Sequence, residues 1–224
     1  MVIFIYENDN HYQLHKTYDS KMEGEKMVDQ KYRCVFRDKT DDKFLSQIVE
    51  TLGPVLLGSK PAELISLPKH DSQWASKLSK IESHIGKCKK IRYKIFNYRD
   101  TSIKVLFYNP KTLDDCLRDK RNRRFLEELG YPKDYNLNDY LLCLIEKMET
   151  GYIPDEIGVF LGYPLKDIIG FMGHPSLKLT KVNGWRVYGN PKLSDIKFRE
   201  FLDARNEVRA LLQNFTPEKV LVYI

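Results

Sequence analysis

The sequence predicts an α+β protein: a small, mainly antiparallel sheet flanked by several helices, with a helix-turn-helix-like corner at residues 155–171. Three observations carry this. Residues 91–98 and 103–108 are β-prone runs joined by Arg99-Asp-Thr-Ser102, a connector short enough for an antiparallel hairpin. Several other segments repeat apolar residues at helical spacing. Strands and helices do not alternate regularly, so a doubly wound parallel sheet is not expected.

In chain order, residues 2–7 and 11–18 are β-prone around the turn triplet Asn8-Asp-Asn10 and predict a hairpin; residues 19–40 are polar and read as a linker. This divides the chain into an extension over 1–40 and a main α+β domain over 41–224. From Asp42, residues Phe44, Leu45, Ile48, Val49 and Leu52 predict a helix capped by Asp41 or Asp42 and interrupted by Gly53-Pro54. Pro61 makes residues 60–67 an edge strand or a single helical turn. Trp74, Leu78, Ile81 and Ile85 form one stripe of a helix over 71–86, with Asp71 or Ser72 as its cap. After the hairpin, Asn109-Pro110 breaks the strand. Helices are expected over 111–129 and 137–149, separated by the Gly130-Tyr-Pro132 stop. Two short helices fill the corner. Residues 184–189 are a strand between glycines, and 193–213 are the longest helix, with Ile196, Phe198, Phe201, Leu202, Val208 and Leu211 as apolar members. Val220 to Ile224 is expected as a terminal strand.

The chain is 42% hydrophobic and 12% aromatic, enough for a sizeable core. No run approaches the roughly 18 apolar residues of a membrane span. The stretch from Val2 to Tyr6 is too short for a signal-peptide core and no basic segment precedes it, so a cytoplasmic protein without membrane partners is expected. Cys34, Cys88, Cys116 and Cys143 are scattered without a Cys-x-x-Cys pair and read as free buried thiols.

Thirty-seven Lys and Arg against 31 Asp and Glu leave +6. Residues 77–124 hold 15 Lys and Arg against 5 Asp and Glu, or +10, so the remainder sums to −4. Two clusters dominate: Lys87, Lys89, Lys90, Arg92 and Lys94, then Arg118, Arg121, Arg123 and Arg124. Such a local excess attracts polyanions, or it simply solvates one face. Strand alternation places Arg92, Lys94, Phe96 and Tyr98 on one face, and Lys104, Leu106 and Tyr108 on one face of the partner strand. That pattern suits a single-stranded RNA reader, in which rings stack bases and cations hold phosphates. It equally suits core aromatics ringed by snorkelling cations.

The corner has the spacing of a DNA-reading unit. Gly158 is the small residue at the crossing, Gly162 the turn, and Ile157, Leu161, Ile168 and Phe171 the packing. Its second helix would present Leu165, Lys166, Asp167 and Ile169, poor groups for base edges, so a packed corner is favoured over duplex recognition. His84 and Cys88 sit four apart on a helix without a second pair nearby, and His11 and His15 likewise lack partners, so neither a metal nor a cofactor is expected. The chain has no P-loop, dinucleotide fingerprint or nucleophile elbow. Asp155-Glu156 starts a helix, where acids favour the dipole.

Through Gly58-Ser-Lys-Pro-Ala62, Asp155-Glu-Ile-Gly-Val-Phe-Leu-Gly-Tyr-Pro164, Asp167, Gly170-Phe171 and Gly184-Trp-Arg-Val-Tyr188, residues 41–205 resemble the bacterial domain-of-unknown-function family 3793. That pattern usually has Pro-His-Glu where this chain has Pro154-Asp-Glu156, so any ligating or catalytic role of the histidine would be altered here. The resemblance implies block order and no activity. Carried over by position, Lys60, Glu156, Tyr163, Asp167, Trp185 and Tyr188 form either a candidate ligand pocket or a buried structural network. The expected function is that of a basic, non-enzymatic protein. It would contact RNA, DNA or a nucleic-acid-bound protein through Lys87, Lys89, Lys90, Arg92, Lys94, Tyr98, Lys104, Arg118, Arg121, Arg123 and Arg124. The alternative is a small-molecule enzyme or sensor using the block residues.

Overall fold

The structure, a computed structural model, describes residues 42–224; the expected N-terminal hairpin and linker, Cys34, His11 and His15 lie outside them. Its centre is a three-stranded antiparallel sheet in the order β1 (Ala62–Pro68), β3 (Ser102–Tyr108), β2 (Arg92–Tyr98). Every residue of β3 is buried, because helices cover both faces of the sheet. On one face Ala62, Leu64, Phe96, Leu106 and Tyr108 pack against α4 (Pro110–Arg118), α5 (Lys120–Glu128), α6 (Leu137–Glu149) and α7 (Ile157–Phe160). On the other, Ile65, Leu67, Ile103, Val105 and Phe107 meet α1 (Lys43–Thr51), α2 (Gly53–Leu56), α3 (Trp74–His84) and α10 (Pro217–Tyr223).

The expected edge strand at Pro61 is β1, and the β2–β3 hairpin forms in continuous register from Arg92↔Tyr108 to Tyr98↔Ser102. Asp42 caps α1 by accepting the Leu45 N–H at 3.1 Å. Gly53 allows α2 to lie against α9 (Lys192–Leu212); a Cβ there would stand 3.1 Å from the Ala204 carbonyl. The α8 helix (Leu165–Phe171) completes the corner. It packs on a second, two-stranded sheet formed by β4 (Leu179–Asn183) and β5 (Trp185–Tyr188).

Five local expectations are corrected. The helix expected over 111–129 divides at Asp119, whose carboxylate accepts the Arg121 and Asn122 N–H groups and so caps a new helix. Residues 220–224 are not a strand but belong to α10. There Thr216 accepts the Lys219 N–H and Pro217 sits where its missing donor costs nothing, so the capping signal outweighs β-propensity. The α3 helix starts at Trp74 without a side-chain cap, while Asp71 accepts the Gln73 N–H in the preceding turn. On α9, Ile196 and Leu202 face solvent, with Phe201 and Val208 on the buried side. The thiols of Cys88, Cys116 and Cys143 are free but only half-buried.

The β2–β3 turn places two consecutive non-glycine residues, Arg99 and Asp100, at φ 49° and 54°. This left-handed pair lies in the three-residue connector between Tyr98 and Ser102, a conformation that strains residues with a Cβ. Asp100→Gly is expected to raise stability by about 0.5–1 kcal/mol, read as a higher urea midpoint at unchanged slope.

Candidate functional site

The corner is held by close backbone approach. A Cβ at Gly158 would stand 2.8 Å from Ile168 Cγ1, and one at Gly162, at φ 77°, 2.4 Å from Pro61 Cδ. The α7 helix ends in a stop in which the Tyr163 N–H reaches back to the Gly158 carbonyl at 2.9 Å. The Leu129-Gly-Tyr-Pro stop after α5 repeats this, with the Tyr131 N–H on the Leu126 carbonyl at 3.1 Å. The α8 helix then turns Asp167, Ile168 and Gly170 inward onto β5, and Gly170 lies so close to Tyr188 that a Cβ would fall 2.4 Å from its Cγ. Of the residues a DNA reader would present, Asp167 is buried and Leu165, Lys166 and Ile169 are half-buried.

Asp167, 2% exposed, accepts four donors: Lys166 Nζ at 2.5 Å, Trp185 Nε1 at 2.9 Å, the Tyr188 N–H at 2.8 Å and Ser194 Oγ at 2.6 Å. Lys166 Nζ also donates to the Tyr188 carbonyl and Ser194 Oγ, both at 2.8 Å, which uses its three protons. Trp185 stacks on Tyr163 with centroids 4.6 Å apart. Lys60 lies 5.5 Å above Tyr163 and 5.6 Å above Phe201, and is ion-paired with Glu63 at 2.8 Å. Burial would push the Lys60 pKa down, but the Glu63 carboxylate and Tyr163 outweigh it and hold the ammonium above its ordinary range. Five of the six block residues thus form one connected cluster.

Glu156 stands apart. It is buried and accepts Lys147 Nζ at 2.7 Å and the Tyr131 hydroxyl at 3.4 Å, so it does not serve the helix dipole as an exposed acid. Burial first, and then the Glu156 carboxylate, raise the Tyr131 pKa. The hollow beside Asp167, Tyr163 and Trp185 measures about 30 Å³, room for one water and not for a ligand. Lys60, Tyr163, Asp167, Trp185 and Tyr188 are accordingly bound into one network and Glu156 into a separate one with Lys147 and Tyr131, and the hollow is not lined by Lys60, Glu156 or Tyr188.

The expected basic face is likewise reduced. Phe96 is 4% exposed and belongs to the core, so it cannot stack a base. Lys104 is buried beside the Tyr98 ring at 4.8 Å, and burial lowers its pKa. Arg99 takes a position over the same Tyr98 ring at 5.5 Å. Four helical arginines are each paired with an acid: Arg118 with Asp114, Arg121 with Asp119, Arg123 with Glu127 and Arg124 with Glu128. These pairs are exposed and contribute little stability, but they cancel the local charge. By contrast, Lys87, Lys89, Lys90 and Arg92 are exposed, Lys94 is half-buried, and none of the five has an acidic partner among the described residues. They follow one another through the loop after α3 and into edge strand β2.

Among the described residues no three His, Cys, Asp or Glu side chains gather as metal ligands would; His84 Nδ1 faces Glu218 at 3.6 Å. Sequence reasoning missed Lys166 and Ser194, the partners that complete the Asp167 knot. It also missed a wider cleft bordered by the Gly58–Pro61 turn, α4, α5 and α9. On that wall Cys116 donates to the Val159 carbonyl at 3.5 Å, and burial pushes its thiol up to about 11.

Two outcomes follow from this geometry. Asp167→Ala leaves an ammonium, an indole N–H, a hydroxyl and a backbone N–H without their acceptor. It should cost about 3–5 kcal/mol in urea unfolding, against about 1.5–3 kcal/mol for Ser194→Ala; a loss below 1 kcal/mol for Asp167→Ala would contradict the knot. Since only the thiolate is alkylated, labelling of Cys116 by iodoacetamide should rise with a midpoint near pH 11, and a midpoint near pH 8.5 would show an unburied thiol.

The model of one protein family, described as protein of unknown function (DUF3793), matches residues 48–221, reaching past residue 205 through most of α10. No curated protein and no solved structure matches the chain. Residues 48–221 carry both helical layers, the central sheet and the Asp167 knot, and over that span the chain belongs to the DUF3793 family.

Proposed function

We propose that this protein binds nucleic acid by contact, in the bacterial cytoplasm, holding a phosphate backbone along Lys87, Lys89, Lys90, Arg92 and Lys94 without turning it over. The observation that carries the reading is five cations within eight residues, on one loop and one sheet edge, with no acidic partner among the described residues. Phosphate contacts of this kind position a chain without reading its bases. Phe96 lies in the core and Tyr98 is covered by two cations, so no exposed ring on this face stacks bases. Binding is then driven by charge and indifferent to sequence. The free thiols at Cys88, Cys116 and Cys143 suit a reducing compartment.

With a fluorescein-labelled oligouridine as probe, the logarithm of affinity should fall against the logarithm of salt with a slope of about −3.5, the value for roughly five contacts on a single strand. Replacing the five residues by Glu should abolish binding, replacing Arg118, Arg121, Arg123 and Arg124 by Gln should change it less than about threefold, and the RNA should be recovered intact. Salt-independent affinity, or equal losses from the two sets, would overturn the reading.

A further inference from the structure

A cleft of about 620 Å³ opens between the Gly58–Pro61 turn, the facing sides of α4 and α5, the start of α8 and the first turns of α9. It falls within the roughly 300–1,000 Å³ of small-ligand sites. It is separate from the β2 edge and draws on segments distant in sequence. We propose that it binds a short peptide with free termini and an apolar side chain.

Charge comes first. Asp115, Asp119 and Glu200 border the cleft together with Arg121 and Lys197. Lys166 also contributes to the wall, but its ammonium is fully engaged by Asp167, Tyr188 and Ser194. The acids repel a polyanion and the bases a polycation, whereas a molecule with one charge of each sign satisfies both. The pairs already present, Arg121–Asp119 at 3.3 Å and Lys197–Glu200 at 2.7 Å, are solvent-exposed. Such pairs are worth about 0–1 kcal/mol, so they exchange partners at little cost.

The second observation is apolar. Pro61 and Pro164 are buried in the wall, Tyr163 and Leu165 are half-buried, and Leu193 stands 49% exposed at the rim, where a bound side chain would cover it. The third is hydrogen-bonding capacity that matches a peptide unit. The Ser59 backbone N–H has no partner among the described residues, its hydroxyl being bonded to the Pro54 carbonyl. Asn122 donates through Nδ2 to the Cys116 carbonyl at 2.9 Å, which leaves its Oδ1 to accept.

The wall holds a peptide but does not cleave it. The Cys116 thiol stays protonated at neutral pH, and Asp119 is kept below the usual carboxylate range by the Arg121 hydrogen bond while it caps α5.

Saturation-transfer NMR can test this with a pool of Ala-X-Ala tripeptides, where X is Leu, Met, Phe or Tyr. One pool has free termini; a second is acetylated and amidated. The free pool should bind, and the capped pool at least tenfold more weakly. Leu193→Trp, which fills the mouth from an exposed position, should lose binding without shifting the melting temperature, and Arg121→Glu should weaken it about tenfold. Leu193→Trp should bind oligouridine as the parent does, which separates this site from the β2 edge. Failure of the free pool to bind, equal binding of the two pools, or an undiminished signal with folded Leu193→Trp would each overturn the proposal.

Discussion

A carboxylate sealed at 2% exposure needs every lone pair answered, and Asp167 meets that demand with groups from three elements. Lys166 comes from its own helix, Trp185 and Tyr188 from β5, and Ser194 from α9. The knot joins α8 to the second sheet and the longest helix, and it fixes Trp185 against Tyr163, which in turn lies beneath Lys60. The arrangement also explains the glycines around it. Residues with a Cβ at 158, 162 and 170 would hold the corner open and keep Asp167 from reaching its donors.

The same local device occurs twice. Each Leu-Gly-Tyr-Pro stop ends a helix and delivers a tyrosine under a lysine that is itself paired with a glutamate. Tyr131 has Lys147 and Glu156; Tyr163 has Lys60 and Glu63. These part-buried pairs consume the acids and cations that a reader of isolated motifs would assign to catalysis. The contacts we propose with other molecules lie outside the knot, at the cations of the β2 edge, which have no acidic partner among the described residues, and in the cleft beside α4 and α9. The interior sets the geometry and the periphery presents the chemistry.

Much of this was legible from local spacing. Gly158 and Gly162 announced a tight corner, and Asp167 and Ile169 argued against a recognition helix, because both inferences depend on neighbours within a turn or two. The alternation in β2 and β3 correctly grouped Phe96 with the cations, but it could not tell that helices cover that face too. That depends on α6, some forty residues later. Ser194 was invisible as a knot partner because it lies 27 residues from Asp167. The strand β4 escaped because Leu179, Thr180 and Val182 all face solvent, which removes the alternation by which a strand is recognised. The division at Asp119 was available as a capping signal, but the helical periodicity on both sides concealed it.

The central claim is that the glycine-rich corner is scaffold and the β2 edge is the contact surface. Amide chemical-shift mapping during titration with oligouridine tests it most directly, since both regions report in one spectrum. The account predicts perturbations centred on residues 87–94, with the amides of α8 unmoved. Shifts centred on residues 165–171 and absent from residues 87–94 would contradict it.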